Sequence, residues 1–246
     1  MPNPVTPLVH EFSGPHEIPT HLHPEDQLIY ACRGVMTVST DHGTWVVPPQ
    51  RAVWIPAETP HGIAIHGPVS MRTLYFQPAI ARVSASCCVI DVSPLLRELI
   101  LHACTYPALT LDGGAQSRLI GILVDQLRVM EISPLQLIEP TDPRAVRIVK
   151  LLTSDPADAR PLEALCECAG ASKRTIERIF LSETGLSLGQ WRQQLRLLRS
   201  LRLLAAGEKI SSVALETGYS TPSAFIAMFR KALGTTPRQY FERADP

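Results

Sequence analysis

Val213-Ala-Leu-Glu-Thr-Gly218-Tyr-Ser220 leads into Thr221-Pro-Ser-Ala-Phe225-Ile-Ala-Met-Phe229 and then Gly234, and the same plan occurs once earlier in the chain. The earlier copy is Leu165-Cys-Glu-Cys-Ala-Gly170-Ala-Ser172, followed by a helical stretch from Lys173 that carries Phe180 and Gly185. Gly170 and Gly218 lie 48 residues apart, while Phe180/Phe229 and Gly185/Gly234 lie 49 apart, so one insertion separates the copies. Each of Gly170 and Gly218 falls at a tight turn between two short helices, where a positive φ is needed. Ser172 and Thr221 stand where an N-cap side chain accepts a backbone N–H. Pro222 takes the first helical position, where its missing N–H costs nothing. Helix, glycine turn and capped helix together read as a helix-turn-helix, present twice.

In the first copy Ile176, Ile179 and Phe180 share an inner face and leave Lys173, Arg174, Glu177 and Arg178 outward. In the second, Phe225, Met228 and Phe229 point inward, and Ser223, Ala227 and Arg230 point out. A purely structural helical repeat accounts for the inner faces equally well. It does not account for glycine turn, cap and outward arginine recurring together. The second helix of such a pair enters the DNA major groove and reads base edges with its N-terminal residues. The predicted DNA-touching residues are Ser172, Lys173, Arg174 and Arg178 in the first copy, and Ser220, Thr221, Ser223 and Arg230 in the second. Arg174 is the sharpest of these, because a bidentate pair with guanine O6/N7 discriminates by about 1–3 kcal/mol.

Between the copies, Ser187 to about Ala206 reads as one helix, roughly 30 Å long. With the flanking units it spaces the two reading helices by about 34 Å, near one DNA turn. On it Arg192, Arg196 and Arg199 follow an i, i+4, i+7 spacing and form one stripe. Phosphate contact and a merely solvated stripe both explain that spacing.

Formal net charge is zero, from 23 Lys+Arg and 23 Asp+Glu in 246 residues. The balance is uneven. Residues 1–140 hold 7 basic and 12 acidic side chains, and residues 141–246 hold 16 and 11. The basic half suits a polyanionic partner. Its modest excess argues against a nonspecific binder, whose affinity comes from neutralising phosphates. With 45% hydrophobic residues the chain supports a packed core. It has no run of eighteen apolar residues, and Met1-Pro-Asn-Pro-Val-Thr-Pro7 lacks the features of a secretion signal, so a cytoplasmic location is expected. The six cysteines (Cys32, Cys87, Cys88, Cys104, Cys166 and Cys168) show no CxxC spacing and read as small buried hydrophobes.

Residues 141–246 resemble the DNA-binding domain of the AraC/XylS family of bacterial regulators. The matching stretches are Asp142-Pro-Arg144, Pro161-Leu-Glu-Ala-Leu-Cys166, Ser172-Lys-Arg-Thr-Ile-Glu-Arg-Ile-Phe180, Glu183-Thr-Gly185 and Trp191. The second half matches better, through Ile210–Gly218-Tyr219-Ser220, Ser223-Ala-Phe225, Phe229-Arg-Lys231 and Gly234-Thr-Thr-Pro237-Arg-Gln-Tyr240. Cys166-Glu-Cys168 departs from the pattern, which more usually has small apolar residues there. The resemblance implies a sequence-specific regulator of transcription on double-stranded DNA, often an activator that contacts RNA polymerase, and usually a homodimer.

The first eighty residues are rich in Pro, Gly, His and β-formers. Runs Gln27–Ala31, Val35–Ser39, Thr44–Val47, Ala52–Ile55 and Met71–Phe76, separated by Gly or Pro, read as strands of a sandwich or small barrel. From Pro94 the period becomes helical, with Leu95, Leu96, Leu99 and Ile100 on one face and Leu119, Ile122, Leu123, Leu127 and Met130 on a second helix. His21-x-His23-x-x-x-Gln27, six residues and Gly34 resemble the first cupin signature, with Gln27 where that family has Glu. Gly43 and then Pro56-Ala-Glu-Thr-Pro-His61 resemble the second, with Glu58 where Gly is usual. The resemblance implies a β-barrel. In metal-binding cupins two His, a Glu and a third His hold a transition metal. Here His21, His23 and His61 correspond, and three imidazoles suit Zn, Fe, Ni or Cu, whereas Gln27 is a poor, neutral ligand. A metal-free reading stands beside it, an effector pocket lined by His21, His23, Gln27, Tyr30 and His61. Arg33, Trp45, Trp54 and Tyr75 line that pocket or belong to the core.

The expected architecture is α+β in two domains. Residues 1–90 form a cupin-like sensor barrel, 91–131 a helical dimerisation segment, and 132–140 a linker. Residues 141–246 form an all-α domain with helix-turn-helix units at about 161–182 and 210–232, joined by a long helix. The leading function is a non-enzymatic regulator responding to a small-molecule effector. The alternative is a metal-dependent cupin enzyme with a DNA-binding tail, against which Gln27 and the lack of an added acid–base pair both count.

Overall fold

A computed structural model of the chain describes residues 3–41, 43–49, 51–129, 132–133 and 136–242. The chain divides into two compact units, Met1–Gln136 and Leu137–Arg243. The first carries strands β1 (Val5–Phe12), β2 (His16–His21), β3 (Asp26–Arg33), β4 (Met36–Thr40), β5 (Gly43–Val47), β6 (Arg51–Ile55), β7 (His61–Ile65), β8 (Val69–Phe76), β9 (Cys88–Asp91) and β10 (Ile132–Ser133). One sheet runs β1-β8-β3-β6-β9-β10 and the other includes β5-β4-β7-β2. Every run read as a strand falls in one, apart from Val35, which precedes β4. The strands not foreseen include β1 and β2, which are sheet edges. They carry Pro7 and Pro19 and are largely exposed, so no alternating pattern marks them. Residues 132–133, expected in a linker, instead pair antiparallel with β9.

Alternation along β3 divides its side chains between two environments. Leu28 and Tyr30 join Trp54, Leu74 and Phe76 beneath α1 (Pro94–Ala103) and α2 (Ala115–Val129), against Leu96, Ile100, Leu123 and Leu127. Gln27, Ile29 and Ala31 take the other face, which looks toward the second sheet. Tyr30 is therefore core under the helices and not a pocket residue, because it differs from Gln27 by an odd number of positions. Trp54 is likewise core, with its indole N–H donating to Ser84 O at 3.2 Å. Leu95 and Ile122 face outward, 53% and 46% exposed, and so leave the packing stripes expected of them. Met130 lies outside the described residues.

The second unit holds α3 (Pro143–Ser154), α4 (Leu162–Cys168), α5 (Lys173–Thr184), α6 (Leu188–Ala205), α7 (Ile210–Glu216), α8 (Pro222–Leu233) and α9 (Pro237–Glu242). Its core runs through Ile148, Leu165, Ile176, Phe180, Trp191, Leu198, Val213, Phe225, Phe229 and Tyr240. Trp191 is fully buried and meets the requirement for an indole partner by donating to Ile138 O at 2.8 Å. At 18 residues α6 spans about 27 Å, and a reciprocal Ser187–Gln190 capping box starts it.

The cysteines are all free, but only Cys88 and Cys166 are buried; Cys168 is exposed and the others are half-buried. Burial pushes the Cys87 and Cys104 thiols up to about 11, so they stay protonated at neutral pH. Among the described residues, no helix is long and apolar enough to cross a membrane.

Candidate functional site

Both glycine turns have the backbone the sequence asks for. Gly170 has φ +71° and Gly218 φ +78°. Ser172 Oγ then accepts Thr175 N–H and Thr221 Oγ accepts Ala224 N–H, which fixes the start of α5 and of α8. Each turn is also tied by an arginine from another helix. Arg147 of α3 donates to Ala169 O at 2.7 Å beside Gly170. Arg196 of α6 packs against Gly218, where an added Cβ would stand 2.4 Å from its guanidinium.

The inner faces of α5 and α8 are buried as read, through Ile176, Ile179 and Phe180, and Phe225, Met228 and Phe229. Ser172, Lys173, Arg174 and Arg178 are exposed at the start of α5 and along it. Ser220, Thr221, Ser223 and Arg230 are exposed at the corresponding places before and along α8. Lys173 Nζ is 2.7 Å from Glu163 Oε1, so part of its charge is answered within the unit. A helix N-terminus with free N–H groups and an exposed guanidinium offers donors to phosphates and to base edges.

The arginine stripe of α6 divides. Arg192 donates to Arg160 O at 2.9 Å and to Asp158 O. Arg196 donates to Pro156 O at 2.8 Å and Asp158 O at 2.9 Å, with its guanidinium 5.8 Å from the Tyr219 ring centroid. Burial lowers the Arg196 pKa from its usual value, and Arg192 lowers it further. These two side chains bind the α3–α4 loop to α6, while Arg199 alone of the three is exposed. The spacing showed that the three share a face. It carried no information about the loop covering part of that face.

In the first unit, β2 ends at His21 opposite His61 on β7, and His23 follows in the turn to β3. Ring centroids lie 4.4 Å apart for His21–His61 and 5.1 Å for His23–His61. One ring nitrogen from each of the three histidines lies within 4.8 Å of the others. The Nδ1 atoms face backbone carbonyls: Pro19 O at 2.9 Å for His21, Glu25 O at 2.8 Å for His23 and Thr59 O at 2.8 Å for His61. A carbonyl only accepts, so each Nδ1 carries a proton, and in the neutral ring Nε2 is left to present a lone pair. This is the outer-shell arrangement that orients histidine toward a metal. His61 is fully buried, and its Nε2 has no hydrogen-bond partner among the described residues. Burial pushes His61 down to about 4, with His21 and His23 acting in the same direction, so its imidazole is neutral at neutral pH. The three residues fit a transition-metal site.

Gln27, 1% exposed, places its Oε1 3.0 Å from His23 Nε2. Glu25 does not take the missing carboxylate's place. Its Oε2 is 4.0 Å from His23 Nδ1, on the far side of the ring, and Gln77 donates to its other oxygen at 3.4 Å. Glu58 stands in a turn with φ +59°, the left-handed region, and its N–H donates to His23 O at 2.9 Å. Tyr75 sets its ring edge-on to His23 at 5.0 Å, while Arg33 is exposed at the end of β3. His66 is held away from the cluster by Thr37 at 2.6 Å, and His10 and His16 are exposed.

Residues 9–123 match the model of the AraC-like ligand binding domain, and residues 165–243 match that of a helix-turn-helix domain. The chain is 35% identical over 225 residues to the HTH-type transcriptional regulator NimR of Escherichia coli K12, covering 92% of this chain and 82% of that protein. It is 37% identical over 101 residues to the HTH-type transcriptional regulator RipA of Corynebacterium glutamicum, covering 41% of this chain and 30% of RipA. Among solved structures, the DNA-binding domain of AdpA in complex with a target DNA is 32% identical, covers 42% of this chain and 93% of that one, and superposes with a TM-score of 0.39. With a ligand-binding domain and a helix-turn-helix domain in one chain, and a full-length relative at this identity, the protein belongs to the AraC family of transcription regulators.

Proposed function

We propose that the protein reads two adjacent major-groove segments of double-stranded DNA through α5 and α8, as a homodimer, and that a small molecule bound in its β-domain changes that reading. One observation carries the DNA side. Two capped helices, each entered through a positive-φ glycine, present exposed serine and arginine at the surface while their apolar faces are buried. We assign base contacts to Ser172, Arg174 and Arg178 and to Ser220, Ser223 and Arg230, with Lys173 and Thr221 at the helix starts and Arg199 on phosphate. Contact with RNA polymerase follows from the family, in which RhaR proteins carry the name of transcriptional activator.

The sensor reading rests on the converging histidines. His21, His23 and His61 are the residues that would hold a divalent transition metal, which would supply a Lewis-acidic position inside the barrel. Each Nδ1–H donates to its carbonyl, and Glu58 N–H fixes the backbone of His23 by donating to His23 O.

The test is selection of DNA from a random pool by the purified full-length protein at moderate salt. Recovery of a motif with two elements about one helical turn apart is expected. Recovery of one element only assigns base reading to a single helix, and recovery of no motif overturns the two-helix reading.

A further inference from the structure

The metal site proposed above contains no carboxylate among the described residues, and Gln27 is the reason. Three neutral imidazoles and a neutral amide leave the full charge of a divalent ion unanswered within the coordination sphere. Glu25 is turned to Gln77 and lies behind His23, so it lowers the local potential without supplying a ligand atom. A dication held by neutral donors in a partly dry site binds anions strongly, because the low dielectric strengthens attraction at short range.

The inner face of the barrel offers hydrogen-bond donors in the same sense. Trp45 pairs with Val38, which pairs with Ile63, and Ile63 shares its face with His61 two residues away. Thr73 pairs with Ile29, which shares its face with Gln27. Trp45 Nε1 and Thr73 Oγ1 are buried with no hydrogen-bond partner among the described residues. An indole N–H only donates, so its missing partner is an acceptor.

Resting on the metal reading, we infer that the small molecule taken by this barrel is a carboxylate or comparable oxyanion, bound through an oxygen at the three-histidine metal, and that Gln27 selects for its charge by leaving that metal unneutralised.

The experiment uses the full-length chain loaded with cobalt(II), whose visible spectrum reports the ligands around the ion, titrated with acetate and with azide as probes. One cobalt per chain is expected, with a saturable spectral change in the millimolar range for both anions. Q27E places a carboxylate beside His23. It is expected to retain cobalt and to weaken acetate and azide binding by about tenfold or more, one elementary charge being worth that much at such range. W45F is expected to weaken acetate several-fold with cobalt occupancy unchanged. If the protein takes up no cobalt, or His61→Ala takes up as much as the natural chain, the metal reading fails and the inference falls with it. If cobalt binds through the histidines but neither anion alters the spectrum, or Q27E binds them equally well, the anion inference is overturned while the metal reading stands.

Discussion

Glu58 holds a left-handed backbone conformation at the position where the cupin signature has glycine. A side chain there costs roughly 1–2 kcal/mol through the clash of Cβ with the following carbonyl. The turn is kept because its N–H fixes His23 O and it delivers the chain to His61. Glu58→Gly should therefore stabilise the metal-free protein by about 1 kcal/mol, less the entropy of a freer unfolded chain. Urea denaturation monitored on the fluorescence of Trp45 and Trp54 measures it, and an unchanged or lowered midpoint would mean the turn carries no strain. At the reading helix, Arg174→Ala should relax preference at one base position by about 1–3 kcal/mol in a competition assay on selected DNA. Uniform weakening across sequences, with the salt slope reduced by about 1, would place Arg174 on phosphate instead. At this scale the sequence was informative where residue type is tied to backbone or to chemistry, as with Gly170, Gly218, Ser172, Thr221 and the three histidines. Tyr30 was misread because a pocket was assigned by strand membership, whereas a single step along β3 exchanges the inner face for the helix-covered one.

The elements joining the two helix-turn-helix units form a clasp that no spacing rule exposes. The α3–α4 loop is held by Arg192 and Arg196 through the carbonyls of Pro156, Asp158 and Arg160, while the buried Asp158 carboxylate is held by Arg160 at 2.6 Å. Arg196 also stacks near Tyr219 and fills the space over Gly218, so one side chain of the central helix touches both the approach to the first helix-turn-helix and the turn of the second. The periodicity of α6 identified its arginine face. It could not show that backbone carbonyls from 32 to 40 residues earlier occupy two of the three, because that requires the loop's path. The clasp should set the spacing of α5 and α8. On DNA libraries with one base pair added or removed between the two elements, the natural chain is expected to discriminate by about tenfold or more. Arg196→Gln is expected to lose most of that discrimination while keeping its preference within each element. Retained spacing preference together with uniform loss of affinity and a shallower salt slope would show that Arg196 serves phosphate. Gly218→Ala probes the same junction from the other side. Its Cβ would meet Arg196 at 2.4 Å and Ala157 Cα at 3.1 Å with φ +78°, so a loss of more than about 1 kcal/mol in stability is expected.

For the whole molecule, charge and chemistry are partitioned between the two units. The acidic excess lies in residues 1–140 and the basic excess in 141–246, so the acidic part adds no electrostatic affinity for DNA, and it carries the three-histidine cluster. Division of labour was legible from composition and motif alone. A coupling between the units is not legible in this way, since it would depend on two arrangements of the chain having different free energies, a property that neither residue type nor spacing encodes. If an anion in the barrel governs DNA reading, linkage fixes the form of the result: the factor by which the anion changes affinity for the selected DNA equals the factor by which that DNA changes affinity for the anion. Couplings of this kind typically amount to about 5–150-fold. We therefore expect acetate at saturation to shift the dissociation constant of the metal-loaded protein for its selected DNA by at least about fivefold in one direction, and the cobalt spectrum to show acetate affinity shifted by the same factor when DNA is present. Ionic strength must be matched with a non-coordinating salt, because phosphate contacts respond to salt on their own. A shift that appears equally in Q27E would be a salt effect. A shift absent in both directions, with acetate bound, would make the barrel a binding site without influence on the helices that read DNA.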